Sequence, residues 1–118
     1  MKELILEMEE YASLKNIPII EKDSIAFIMK YIKKNNIKNI LEIGSAIGYS
    51  TILMASVAQD VTVTTIERDE SRYMECLKNV KKCGFEKKIN VVFQDALEVN
   101  LTAVSYTHLR AHETSAHL

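Results

Sequence analysis

A chain of 118 residues, 47% of them hydrophobic, with three glycines and one proline, has room for one domain at most and enough apolar side chains to bury a core. Fifteen basic against sixteen acidic residues give a net charge of −1, which excludes a global positive field for nucleic acid but leaves local lysine clusters open. No apolar run approaches the roughly 20 residues that cross a bilayer, and the acidic, amphipathic start at Lys2 to Glu10 is unlike a signal peptide, so a cytoplasmic protein is expected.

In chain order, residues 3 to 14 place Leu4, Ile5, Met8, Tyr11 and Ala12 at helical spacing, with Glu3, Glu7, Glu9 and Glu10 turned outward. The stretch Asn16-Ile17-Pro18-Ile19-Ile20 interrupts this helix, because Pro18 lacks an N–H and biases Ile17 toward extended geometry. A second helix is expected from about Glu21 to Lys34, with Ile25, Ile28, Met29 and Ile32 on one face. Asp23 and Ser24 suit its first turn and Lys30, Lys33 and Lys34 its end, the charge order the helix dipole favours. The group Lys30, Lys33, Lys34 and Lys38 reads as a solvated helix end more readily than as a nucleic-acid patch.

The stretch Asn39-Ile40-Leu41-Glu42-Ile43-Gly44-Ser45-Ala46-Ile47-Gly48-Tyr49-Ser50 predicts a buried parallel strand, a tight turn and a helix start. Gly44 can take positive φ and let a ligand approach the backbone. Gly48 lets the next helix pack close to the strand, and free N–H groups at the helix start face an anionic or polar ligand. The turn reads G-x-x-x-G, not the G-x-G-x-x-G of dinucleotide sites, and taken alone it is either a nucleotide site or an ordinary βα turn. Residues 50 to 58 carry Ile52, Leu53, Met54, Ala55 and Val57, a helix buried on most sides and ended by Gln59-Asp60.

The β-branched run Val61 to Ile66 predicts the second strand, ending at Glu67, 23 residues after Gly44. That spacing returns the chain to the same sheet edge, where a carboxylate either accepts ribose hydroxyls or merely caps the next element. Asp69 suits an N-cap for a helix through Tyr73, Met74, Leu77 and Val80 to Gly84, with Lys78, Lys81 and Lys82 outside. Ile89 to Phe93 predicts the third strand, and Asp95 joins Gly44 and Glu67 at its carboxyl end. Cys76 and Cys83, seven residues apart on a helix, stand about 10 Å apart. A disulfide needs about 7 Å, so half-buried free thiols are expected, and no C-x-x-C or clustered histidine points to zinc.

The string Glu42-Ile43-Gly44-Ser45-Ala46-Ile47-Gly48-Tyr49-Ser50 resembles the first motif of class I S-adenosylmethionine-dependent methyltransferases, in particular the caffeoyl-CoA and catechol O-methyltransferase-like family. Residues 1 to 102 look like the N-terminal half of such an enzyme. The run from Glu9-Glu10-Tyr11 through Pro18-Ile19-Ile20-Glu21-Lys22 to Glu42-Ile43-Gly44 is similar to the tRNA 5-hydroxyuridine methyltransferase subgroup. The resemblance implies an α/β, Rossmann-like methyltransferase fold, truncated to two N-terminal helices plus parallel strands in the order 3-2-1. It places Glu42 and Gly44 in the S-adenosylmethionine motif, Ile20 and Ser50 against the methionine part, Glu67 on the ribose, and Asp95 with Ala96 at the adenine.

The implied reaction carries the sulfonium methyl to a hydroxyl, on tRNA or on a small catechol- or phenol-type acceptor. Mg²⁺ is implied for the complete enzyme, its ligands lying past this chain, and a homodimer of the complete enzyme is compatible with the family. No catalytic base or metal ligand is identifiable. A nucleotide-binding oxidoreductase and a non-catalytic interaction module stand as alternatives. From Ala103 to Leu118 the chain resembles translated sequencing-adaptor read-through, a non-native tail. A metal site of His108, His112 and His117 is rejected on that ground. Without a fourth strand the first would become an edge that the tail cannot cover, and an inactive, aggregating fragment is expected.

Overall fold

The structure, a computed structural model, describes residues 1–94 and the backbone of 115–117. Its elements are α1 (Lys2–Leu14), α2 (Lys22–Lys34), β1 (Asn39–Ile43), α3 (Tyr49–Ala55), β2 (Thr62–Glu67), α4 (Glu70–Lys82), β3 (Ile89–Phe93) and β4 (Ser115–His117). The sheet is parallel, in the order β3-β2-β1-β4, with Ile40 opposite Val63 and Val63 opposite Ile89. The order 3-2-1 is the one the resemblance implied. The tail corrects one expectation, since Ser115, Ala116 and His117 pair with Asn39, Ile40 and Leu41. A backbone ladder needs N–H and C=O groups rather than a sustained apolar run, so a three-residue strand can form where periodicity gives no signal.

The core lies where α3 meets the sheet and is closed by α1 and α2. Met8, Ile32, Ile40, Ile47, Ile52, Met54 and Val63 are all essentially buried within it. β1 is buried on both faces from Asn39 to Glu42, as a strand flanked by helices should be. Three helices stop by the same device. After α1, α2 and α4, Asn16, Asn36 and Gly84 adopt φ of 53°, 54° and 74°. The next amide, of Ile17, Ile37 or Phe85, then reaches back to the carbonyl of Ala12, Ile32 or Val80. This is the Schellman arrangement. α1 therefore ends through Asn16, before Pro18 has any effect.

Other boundaries and faces also depart from expectation. α3 stops at Ala55 because the Ser56 hydroxyl turns back onto the Leu53 carbonyl at 2.6 Å, and Val57 bonds Met54 in a tighter turn. α4 buries Cys76, Asn79 and Val80, leaving Met74 and Leu77 exposed. Glu9 is half-buried rather than turned outward. Cys83 is a half-buried free thiol as expected, but Cys76 is fully buried.

Candidate functional site

At the carboxyl end of β1 a cleft of about 300 Å³ opens between the 18–20 loop and the glycine turn. Pro18, Ile19, Ile20, Ile25 and Ile28 form one wall, and Glu42, Gly44, Ser45, Ala46, Tyr49 and Ser50 the other. Of the residues expected from the sequence, Ile20, Glu42, Gly44 and Ser50 thus share one cavity. Glu67 stands behind the turn and does not line the cleft. Asp95 and Ala96 lie outside the described residues.

Gly44 has φ +86°, and a side chain built there would meet no protein atom within 4 Å. The bare backbone at the cleft floor is therefore open to a ligand. Gly48 differs: at φ +93° its Cβ would sit 3.0 Å from the Cys76 sulfur. The glycine admits α4, a correction to the expectation that it serves packing on the strand. The turn's amides are also less free than expected. Gly44 and Ser45 donate to the Ile66 carbonyl at 2.7 and 3.3 Å, Ala46 donates to Glu67 Oε1 at 2.7 Å, and Gly48 donates to the Ser45 carbonyl at 2.8 Å.

Glu67 is 6% exposed, and its second oxygen accepts the Asp69 amide at 2.9 Å. It fastens the turn, including Ala46 at φ +49°, to the loop after β2. Glu42, equally buried, accepts hydroxyl hydrogens from Ser50 and Thr51 at 2.5 Å each and from Thr65 at 2.7 Å. Burial pushes its carboxyl above the ordinary range. The three hydroxyls oppose that shift, and the nearby Glu67 charge adds to it.

Three contributors were not legible as site residues. Tyr49 is buried and donates to Glu9 Oε2 at 2.7 Å. Asn79 is buried and donates from Nδ2 to the Ile47 carbonyl at 2.9 Å, securing the turn from α4. Thr65 joins the Glu42 cluster from β2. Only Asn79 left a signal, the i, i+3, i+4 spacing of Cys76, Asn79 and Val80.

The O-methyltransferase family profile matches residues 1–108. The chain belongs to the O-methyltransferase family. It is 33% identical over 100 residues to the flavonoid 3′,5′-methyltransferase of Vitis vinifera, covering 84% of this chain and 41% of that one. It is 33% identical over 91 residues to the caffeoyl-CoA O-methyltransferase of Populus kitakamiensis, covering 75% and 37%. A Staphylococcus aureus structure described as a caffeoyl-CoA O-methyltransferase superposes with a TM-score of 0.77 at 39% identity, covering 80% of this chain and 45% of that one. The O-methyltransferase of Bacillus cereus in complex with SAH shares the fold, with a TM-score of 0.73 at 22% identity over 93% of this chain and 49% of that one. The O-methyltransferase chain thus spans less than half the length of each of the two plant relatives. Family membership disfavours the oxidoreductase alternative.

Proposed function

We propose that this chain carries the cofactor half of an S-adenosylmethionine-dependent O-methyltransferase. The observation that carries the reading is Gly44, whose backbone lies bare and left-handed at the floor of a cleft walled by Ile20 and Ser50. S-adenosylmethionine bound there supplies an electrophilic methyl, transferred by in-line displacement to a hydroxyl oxygen, a reaction that depends on alignment. Ile20 packs on the methionine part. Ser50 gives its hydrogen to Glu42, so its lone pairs remain to accept from an ammonium group. Glu67 stands behind the turn rather than in the cleft and uses one lone pair of each oxygen on backbone amides; the remaining two are those proposed for the ribose hydroxyls, which would have to reach past the turn. Asp95 and Ala96 are proposed for the adenine.

Among the described residues no three His, Cys, Asp or Glu side chains gather closely enough to hold a metal ion. The described residues thus do not fit the implied Mg²⁺. The acceptor we propose is a hydroxyl on an aromatic ring, in line with the flavonoid and caffeoyl-CoA names of the relatives. A 5-hydroxyuridine in tRNA is the second reading. It is favoured by the outer face of α2, where Phe27 and Tyr31 are 71% and 52% exposed beside Lys30 and Lys34, a pairing of stacking rings with phosphate-seeking charges. No helix among the described residues is long and apolar enough to cross a membrane, and a cytoplasmic location belongs to the proposal. So does a homodimer of the complete protein, for which exposed Leu6 and Leu14 supply apolar surface.

Titration calorimetry with S-adenosylhomocysteine and with NADH tests the cofactor. The former should bind and the latter should not, and Gly44→Val should abolish binding while keeping the helical circular dichroism. Binding by Gly44→Val within about threefold of the wild type would remove the motif from the site. Methyl transfer by the complete protein to tRNA or to a catechol then separates the two acceptors.

A further inference from the structure

Glu9 of α1 lies outside the glycine-turn motif, yet it bonds a cleft-lining residue, Tyr49, and pairs with Lys22 at the start of α2. Its Oε2 accepts the Tyr49 hydroxyl at 2.7 Å, and Tyr49 lines the cleft beside the glycine turn. Its Oε1 stands 3.7 Å from Lys22 Nζ, which does not line the cleft but opens α2, the helix that carries Ile25 and Ile28 of the other wall. Lys22 is 77% exposed, so that pair is screened and weak. The Tyr49 bond is the stronger tie because its donor is buried and its acceptor charged. Burial first, and then Glu9, push the Tyr49 phenol up to about 12, so that it stays a donor well into the alkaline range.

We infer that Glu9 is a positioning residue for the cofactor cleft, clamping the glycine-turn wall through Tyr49 and, more weakly, the Ile20 wall through Lys22. This rests on the cleft being the S-adenosylmethionine site. Binding alone would follow the width at which the two walls grip the ligand, and a bond from outside the cavity would set that width.

The test combines calorimetry with amide exchange on the ligand-free chain. Glu9→Ala and Tyr49→Phe should each weaken S-adenosylhomocysteine about tenfold, the scale of one charge-assisted hydrogen bond. The double variant should be no weaker than the worse single one. Glu9→Gln keeps an oxygen for the Tyr49 hydroxyl and should restore most of the affinity. Without ligand, Glu9→Ala should speed exchange in both 16–22 and 44–50, and Tyr49→Phe in 44–50 alone. Additive losses in the double variant, full affinity in Glu9→Ala, or unchanged exchange in both segments would overturn the clamp. A wild-type chain that ignores S-adenosylhomocysteine, while the two variants still give the exchange pattern, would overturn the cofactor reading and leave Glu9 as a tie between the two segments with no cofactor role.

Discussion

Glu42 shows how a buried acid can organise a site and still burden the fold. Its folded-state pKa is raised, so the native chain binds this proton more tightly than the unfolded one. Stability therefore falls as pH rises from the ordinary glutamate range through the raised value, and the penalty is complete above it. Glu42→Gln should remove that slope in thermal melts run upward from the ordinary glutamate range of about pH 4. It should stay folded, because Thr51 and Thr65 can go on donating to its Oε1 while the Ser50 hydroxyl turns to accept from Nε2. An unchanged slope would count against Glu42 as its source. The two turn glycines should separate as well. Gly44→Ala meets only its φ of +86°, about 1–2 kcal/mol. Gly48→Ala adds a 3.0 Å contact with the Cys76 sulfur and should cost more in urea titrations, with the excess relieved by Cys76→Ala. At this scale the glycine turn was legible in the spacing of Gly44 and Gly48, whereas Glu42 and Ser50 entered as what the family resemblance implies. The sequence could not show that the turn's amides were committed to Ile66 and Glu67, because those partners come from a strand some twenty residues on.

The elements were legible where one residue both ends a period and takes the required backbone. Gly84 marked the end of α4, and the Asp69 side chain accepts the Arg72 amide at 2.9 Å as an N-cap should. Asn16 and Asn36 do the work of Gly84 less visibly, since asparagine tolerates the left-handed region without demanding it. Gly84→Ala has open space around its Cβ, so its effect should be conformational alone, about 1–2 kcal/mol in chemical denaturation. Asn16→Gly should leave stability unchanged or raise it slightly. A marked loss there would mean that the asparagine side chain matters beyond its backbone. The faces of α4 were misjudged because Met74 and Leu77 look like core by composition. Asn79 instead occupies the buried stripe, where its amide meets a turn carbonyl that only tertiary structure supplies.

For the molecule as a whole, the three apolar runs showed three strands and the family resemblance implied their order β3-β2-β1, while β4 had no such signal, since its pairing is backbone to backbone over three residues. It covers β1 at Asn39, Ile40 and Leu41 but not at Glu42 and Ile43, and Ile43 is 46% exposed. Ending the chain at Thr102 should bare the whole edge and raise self-association, read by light scattering across a concentration series. An unchanged mass would mean that β4 does not guard the edge. The buried sulfur beneath Gly48 also makes the protein its own clock. Burial pushes the Cys76 thiol up to about 12 and also raises that of Cys83, which is only half-buried and so remains the more accessible of the two. An alkylating reagent should therefore modify Cys83 promptly and Cys76 only when α4 lifts off the glycine turn. The slow phase of labelling would time how often the floor of the proposed cofactor cleft comes apart.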